Sequence, residues 1–154
     1  MNKSHFKHIT QIRVRNYEID WQGIVHNANY LRFFEVGRIE YLKDIGVKVN
    51  LSSIQSDSRV VLVRNEIDYK SSAKFDDVLN VYTRVAYIKN TSFVFEGIIE
   101  DATTGQLVAE NTAFHVWLHP RTGKPITVPR NFRGKVVRFE GNNVRIIAKT
   151  AKKN

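Results

Sequence analysis

Apolar residues recur at helical spacing in the stretch that begins at Tyr30. The residues on this stripe are Tyr30, Phe33, Phe34, Gly37, Tyr41, Leu42 and Ile45. Steps of three and four residues place them on one face, so the pattern predicts an amphipathic helix of about 17 residues. Asn27 or Asn29 can cap its start, and Gly46 can supply the left-handed residue that ends it.

Most of the remaining chain has the pattern of β-strands. Ile9 to Arg15 alternates apolar and polar positions, as a half-buried strand does. After a polar linker from Val47 to Ser58, four further strands are predicted, at Val60–Tyr69, Val78–Ile88, Ser92–Asp101 and Gln106–Leu118. Short turns between them favour antiparallel pairing. A long helix with large aromatic residues, followed by long strands, predicts an α+β fold in which the sheet wraps around the helix.

The C-terminal part of the chain carries most of the positive charge. The net charge is +9, and residues 130–154 contain eight basic side chains and a single acidic one, Glu140. Its apolar stretches flank Gly141-Asn142-Asn143 and predict a hairpin. We therefore expect one domain over residues 1–133 and a basic extension over 134–154. The extension either attracts phosphate, in nucleic acid, an anionic carrier protein or a phosphorylated cofactor, or is a solvated tail.

Composition excludes several kinds of chemistry. Without cysteine there is no disulfide, no thiolate zinc site and no cysteine nucleophile. The five histidines lack metal-ligand spacing, so we expect no metal, and no sequence motif calls for an organic cofactor. Neither a membrane-spanning apolar run nor a signal-peptide core is found, so we expect a soluble, cytoplasmic protein.

The loop before the predicted helix offers the elements of an acyl-transfer site. It contains the carboxylate of Asp20, then Gly23, and the helix begins near Asn27. A helix N-terminus presents unpaired backbone N–H groups that can polarise a carbonyl. A neighbouring carboxylate can attack that carbonyl or deprotonate a water molecule. On local chemistry alone, a capping or loop role remains the commoner one for such an aspartate.

The segment from Asp20 to Arg32 resembles the signature of the 4-hydroxybenzoyl-CoA thioesterase-like family. The shared features are an aspartate, Gly-Ile-Val starting three residues later, and Asn-Tyr in the first turn of the helix. Further matches in order and spacing are Asp68-Tyr69, Phe75-Asp76-Asp77-Val78-Leu79, Thr91-Ser92-Phe93-Val94, Gly123-Lys124-Pro125 and Val128-Pro129. The resemblance runs from about Ile9 to about Arg130.

This resemblance implies the hotdog fold, an antiparallel sheet around one long central helix, in subunits that form homodimers or homotetramers. It makes Asp20 the catalytic carboxylate, as nucleophile or general base, and the Asn27 backbone N–H the group that polarises the thioester carbonyl. Gly23 would let the loop pass close to the substrate. The resemblance gives no role to His26, because the family's histidine lies two residues earlier. From its place beside the helix start, His26 can bind substrate or tune Asp20, although a structural or surface role is the commoner one for a lone histidine. Glu35, on the helix, is an alternative carboxylate for which ion pairing is the commoner role.

The resemblance also implies contacts with the phosphates of CoA. These fall on Lys89, Thr91 and Ser92, in the turn before the fourth strand, and on Lys124. Trp21 and Gln22 are bulky residues at positions that are commonly small in the family, which would either narrow the acyl pocket or change what it admits.

We therefore expect an acyl-CoA thioesterase that releases a carboxylic acid and a free thiol. An acyl-carrier-protein thioesterase, a non-catalytic domain that binds acyl thioesters, and a hydratase-type enzyme remain as alternatives. Nucleic-acid binding through the basic tail is the least favoured hypothesis, and no membrane partner is expected.

Overall fold

A computed structural model describes residues 1–49 and 59–147 of the 154-residue chain. The strands are β1 (His8–Arg13), β2 (Arg59–Tyr69), β3 (Val78–Ile88), β4 (Ser92–Asp101), β5 (Leu107–Leu118) and β6 (Arg145–Ile146). The α-helices are α1 (Asn27–Asp44) and α2 (Arg130–Glu140), and short 3-10 turns lie at Lys3–His5, Asn16–Glu18 and Gly141–Asn143. The predicted linker extends into residues 50–58, which lie outside the described part of the chain.

The strands form one sheet in the order β1-β3-β4-β5-β2, and β6 pairs in parallel with β3 at one side. β1 and β3 are antiparallel, with Ile12 opposite Leu79. β3 and β4 are joined by a turn in which the Lys89 N–H donates to the Ser92 carbonyl at 2.8 Å. The prediction of an α+β fold with an antiparallel sheet and a helix is confirmed.

Contacts group the described residues into two compact units. The first contains Met1–Tyr41, Glu66–Arg84 and Glu96–Thr112, and the second takes in the remainder. The core of the first unit joins residues of α1 to residues of β1, β3, β4 and β5. Its members are Ile12, Val14, Val25, Tyr30, Phe33, Phe34, Ala73, Leu79, Val81, Ile99, Val108 and Ala109.

Two glycines allow α1 to lie unusually close to the sheet. A Cβ atom on Gly37 would come within 2.6 Å of the Thr83 Oγ1 and 2.7 Å of the Val81 Cγ1. On the strand side, a Cβ on Gly97 would lie 2.6 Å from the ring of Phe34. α1 ends at Asp44, and Gly46, two residues later, has a φ of 78° and provides the expected left-handed residue.

The predicted C-terminal hairpin is wrong, because residues 130–140 form helix α2. Phe132, Val136 and Glu140 are buried, whereas Gly134 and Arg138 midway between them are exposed, which fits a helical period and not the two-residue period of a strand. The predicted boundary between residues 133 and 134 falls inside this helix. In the second unit, Phe132 packs against Phe93 and Trp117, with ring centroids 4.8 and 5.1 Å apart.

Candidate active site

Asp20 lies at the start of a tight turn in the first unit. The Asp20 N–H donates to the Ile24 carbonyl at 2.9 Å, and the Gly23 N–H donates to the Asp20 carbonyl at 3.0 Å. Gly23 has a φ of 77°, a backbone conformation that glycine adopts without strain and that commonly closes three-residue hairpin loops. A Cβ added at Gly23 would meet no atom within 4 Å. The turn therefore needs this glycine for its backbone angle and not for space.

One oxygen of the Asp20 carboxylate is fixed by the turn. Oδ1 accepts the backbone N–H of Gln22 at 2.8 Å. Within residues 1–49 and 59–147, Oδ2 receives no hydrogen bond. The carboxylate is half-buried, so it is oriented by the backbone while one oxygen keeps its lone pairs for chemistry.

The N-terminus of α1 is capped by His26, and the prediction of Asn27 or Asn29 as the cap is wrong. His26 Nδ1 accepts the Ala28 N–H at 3.2 Å, and the His26 carbonyl accepts the Asn29 N–H at 2.9 Å. The Asn29 side chain instead turns inward and donates to the Glu18 carbonyl at 2.8 Å. The Asn27 N–H has no acceptor among the described residues.

A cleft of about 310 Å³ lies beside this helix start, within the range of small-molecule sites. Its lining residues are Asp20, Ile24, Val25, Asn27, Tyr30, Tyr69, Lys70, Ser71 and Ser72. The two predicted catalytic residues, Asp20 and Asn27, are thus brought to one cleft. Gly23, His26 and Glu35 are not among the lining residues.

Sequence reasoning missed the polar residues after β2 and assigned Tyr30 to the core alone. The Tyr30 hydroxyl accepts the Ala73 N–H at 3.1 Å. Burial raises the pKa of Tyr30, an effect that the Ala73 hydrogen bond partly opposes, so the phenol is neutral at physiological pH. The Asp68-Tyr69 match to the family was the one signal that pointed to this side of the cleft.

The residues predicted to contact phosphate lie in the second unit. Lys89, Thr91 and Ser92 form the β3–β4 turn, where the Thr91 carbonyl accepts the Trp117 N–H at 2.9 Å. The exposed Lys89 ammonium lies 5.6 Å from the centre of the Tyr87 ring. Lys124 is exposed, and its carbonyl accepts the His119 N–H at 2.9 Å.

Between residues 89 and 145, the charged side chains of this unit are mostly basic. The basic ones are Lys89, Arg121, Lys124, Arg130, Arg133, Lys135, Arg138 and Arg145. None has a carboxylate oxygen within 4.0 Å in the described part of the chain. Glu140 is the single carboxylate between residues 113 and 147, and it is buried and accepts the Val85 N–H at 3.1 Å. The positive charge of the segment is therefore not neutralised by its own acidic groups.

Across the described residues, no group of three or more histidine or acidic side chains could hold a metal ion. Over the same residues, no helix is both long and apolar enough to cross a membrane.

Comparison with known proteins identifies the class. The profile of the thioesterase-like superfamily matches residues 14–136, and the chain belongs to this superfamily. A putative esterase of Aquifex aeolicus is 32% identical over 120 residues, covering 77% of this chain and 88% of that protein. The long-chain acyl-CoA thioesterase FadM of Escherichia coli is 28% identical over 131 residues, covering 82% and 95% of the two chains.

A solved structure agrees with the assignment. The crystal structure of a hypothetical protein from Aquifex aeolicus superposes with a TM-score of 0.74 at 30% identity, covering 83% of this chain and 98% of that one. The resemblance to a thioesterase family that the sequence indicated is thereby confirmed.

Proposed function

We propose that this protein hydrolyses the thioester bond of an acyl-CoA, releasing a carboxylic acid and free CoA. The observation that carries the proposal is that one cleft is lined both by Asp20 and by Asn27, whose backbone N–H has no acceptor among the described residues. Membership of the thioesterase-like superfamily and the activity named for FadM support the same reaction.

The Asn27 N–H donates to the carbonyl oxygen of the bound thioester. Negative charge builds on this oxygen as the tetrahedral intermediate forms, so a fixed donor stabilises the transition state more than the ground state. The partial positive charge at the N-terminus of α1 acts in the same direction.

The free oxygen of Asp20 drives bond formation at the carbonyl carbon. As a general base it takes a proton from water, the new hydroxide bonds to the carbonyl carbon, and the C–S bond breaks as the thiolate leaves and is protonated. As a nucleophile it forms an acyl anhydride that water then cleaves, restoring the carboxylate. Both routes end in the same acid and thiol.

The phosphate groups of CoA bind to Lys89, Thr91, Ser92 and Lys124 in this proposal. The excess of unneutralised cations in residues 89–145 supports it. A Lys89→Ala/Lys124→Ala variant should raise the KM for acyl-CoA about tenfold, the loss expected from removing charge-assisted contacts. The KM for the matching acyl-pantetheine, which lacks the nucleotide, should stay unchanged. An equal rise for both substrates would contradict phosphate recognition by these lysines.

We further propose that α1 is the single central helix of a hotdog fold, in a cytoplasmic homodimer or homotetramer. The close packing of Gly37 and Gly97 supports the placement of the helix against the sheet. Light scattering of the purified protein gives the subunit number directly.

The catalytic proposal is tested by free-thiol release from short, long and aromatic acyl-CoA substrates. Asp20→Asn keeps the side-chain shape and the acceptor for Gln22, but removes the charge. It should lower kcat about 100-fold or more, the range for a key catalytic group. Glu35→Gln is the matched control, an exposed carboxylate outside the cleft, and should retain wild-type turnover.

The outcomes separate the hypotheses. Loss of activity in Glu35→Gln, but not in Asp20→Asn, would transfer the catalytic role to Glu35. A wild-type protein that binds acyl-CoA without releasing thiol would instead be a binding domain, or an enzyme that acts on a carrier protein.

A further inference from the structure

The peptide group between Asn27 and Ala28 is held at both ends by side chains from outside the helix. Its N–H, from Ala28, donates to His26 Nδ1 at 3.2 Å. Its carbonyl, from Asn27, accepts the Tyr69 hydroxyl at 3.2 Å. Tyr69 is the last residue of β2, so one contact is local and the other is brought in by the tertiary fold.

The peptide group on the other side of Asn27 is anchored as well. Its carbonyl, from His26, accepts the Asn29 N–H at 2.9 Å. In the preceding peptide group, the His26 N–H donates to the Glu18 carbonyl at 2.9 Å. Of the polar groups in the two peptides that flank the Asn27 Cα, the Asn27 N–H alone has no partner in the described residues. Asn27 is also one of the residues that line the cleft.

We propose that His26 and Tyr69 are positioning residues that clamp the 27–28 peptide and so aim the Asn27 N–H at the thioester oxygen. This inference rests on the proposed thioesterase function and assigns roles to two side chains within that site. An oxyanion donor lowers the barrier only if it is already oriented when charge develops, because reorientation during the reaction would cost free energy. Fixing both dihedral angles of Asn27 supplies that orientation.

The chemistry of the two side chains suits this task. A histidine at the N-cap accepts through a ring nitrogen that carries no proton, which places the proton of the neutral ring on Nε2. The Tyr69 ring lies 5.7 Å from that of Tyr30, and this ring contact limits how far the hydroxyl can move from the Asn27 carbonyl.

A purely structural cap would behave differently from a clamp. A cap contributes to helix stability, and any residue that restores the hydrogen bond restores that stability. A clamp acts on the donor that is used in the transition state, so its loss lowers kcat while KM changes little. Because both side chains act on one peptide, their effects should also be coupled.

The test measures kcat, KM and thermal stability for His26→Ala, Tyr69→Phe and the double variant, on an acyl-CoA that the wild type cleaves. We expect each single variant to lose about tenfold in kcat, less than the loss of a whole oxyanion donor, with KM within about twofold. The fold loss in kcat of the double variant should be smaller than the product of the two single-variant losses. Tyr69→Phe keeps the ring contact with Tyr30, so its loss reports the hydroxyl alone.

His26→Asn provides the rescue, because an asparagine oxygen at the N-cap can accept the Ala28 N–H. It should return kcat to within about threefold of the wild type. Asn2→Ala is the matched control, since the Asn2 side chain accepts the Ser4 N–H at 3.1 Å in a similar cap away from the cleft. It should leave kcat unchanged.

Unchanged kcat in both His26→Ala and Tyr69→Phe, in a wild type that cleaves thioesters, would overturn the clamp and leave the proposed function standing. Failure of Asn to rescue, or fully multiplicative losses in the double variant, would also overturn it. A wild-type protein that cleaves no thioester would overturn both proposals.

Discussion

Gly37→Ala is the substitution whose effect follows most directly from the packing of α1. The added Cβ would lie 2.6 Å from the Thr83 Oγ1 and 2.7 Å from the Val81 Cγ1. Favourable contacts between such atoms begin near 3.5 Å, so each overlaps by roughly 1 Å. Thr83 and Val81 are buried and β-branched, and their side chains cannot rotate away without leaving a preferred rotamer.

The expected magnitude combines two opposing contributions. Overpacking a core costs about 1 to 3 kcal/mol, and the double overlap places this site at the upper end. Alanine in place of glycine in a helix contributes about 1 kcal/mol in the favourable direction. The free energy of unfolding should therefore fall by about 2 kcal/mol, which lowers Tm by about 4 to 8 °C for a chain of this size.

Gly134→Ala makes the same chemical change where nothing obstructs it. Gly134 lies inside α2, and an added Cβ would meet no atom within 4 Å. This variant should gain about 1 kcal/mol and a few degrees in Tm. Thermal unfolding followed by circular dichroism, at equal protein concentration, compares the two variants with the wild type. Equal shifts of the same sign, or a Gly37→Ala variant as stable as the wild type, would refute the reasoning.

Two further stability predictions follow from polar contacts in the first unit. Hydrogen bonds from Thr104, of which that from the backbone N–H has the largest effect, hold the pKa of Asp101 below its ordinary value of 3.8. The charged carboxylate therefore stabilises the folded state above pH 3.8. This stabilisation is lost as the pH falls through the lowered pKa of the folded protein. Asp101→Asn should thus be less stable than the wild type near neutral pH, and the difference in the free energy of unfolding, measured with urea, should vanish as the pH falls through the lowered pKa. A difference that stays constant with pH would contradict this linkage. Arg84 donates from Nε and Nη2 to one oxygen of Glu96, at 2.8 and 2.6 Å. Arg84→Lys keeps the charge but cannot make both hydrogen bonds of the guanidinium, so the free energy of unfolding should fall by about 1 kcal/mol in the same assay. An unfolding midpoint equal to that of the wild type would contradict this prediction.

The regular elements could be predicted because their signals are local. The stripe from Tyr30 to Ile45 predicted α1, and the turn signals between strand-like runs predicted the four long strands to within a few residues. The capping of α1 could not be predicted in the same way, because His26 is fixed by a hydrogen bond to the Glu18 carbonyl. Which of several polar residues caps a helix depends on such contacts, which spacing does not encode.

Helix α2 was missed because Glu140, one of the three residues on its buried face, is charged. Val136 and Val137, next to Phe139, form a short apolar run that fits a strand as well as a helix. The helical period becomes visible only when Glu140 is counted as buried, and its burial depends on the Val85 N–H of a distant strand. A polarity pattern assigns such a residue to the surface.

In the candidate site, the resemblance predicted Asp20 and Asn27, and the structure brings both to one cleft. The rest of the polar lining, Tyr69 to Ser72, comes from a segment about 40 residues further along the chain. No local pattern joins these two segments, so this part of the lining required the tertiary fold. The catalytic roles themselves stay predictions for the thiol-release assay.

The two tryptophans of this chain provide optical reporters of different regions. Trp21, next to Asp20, is 91% exposed, whereas Trp117 is packed against the rings of Phe93 and Phe132. Water dipoles relax around an excited indole and shift its emission to longer wavelength, so the exposed side chain emits to the red of the packed one. A Trp21→Phe variant separates the two signals. The intrinsic fluorescence of the unlabelled protein can then follow events beside the cleft and unfolding of the second unit independently, without any attached dye.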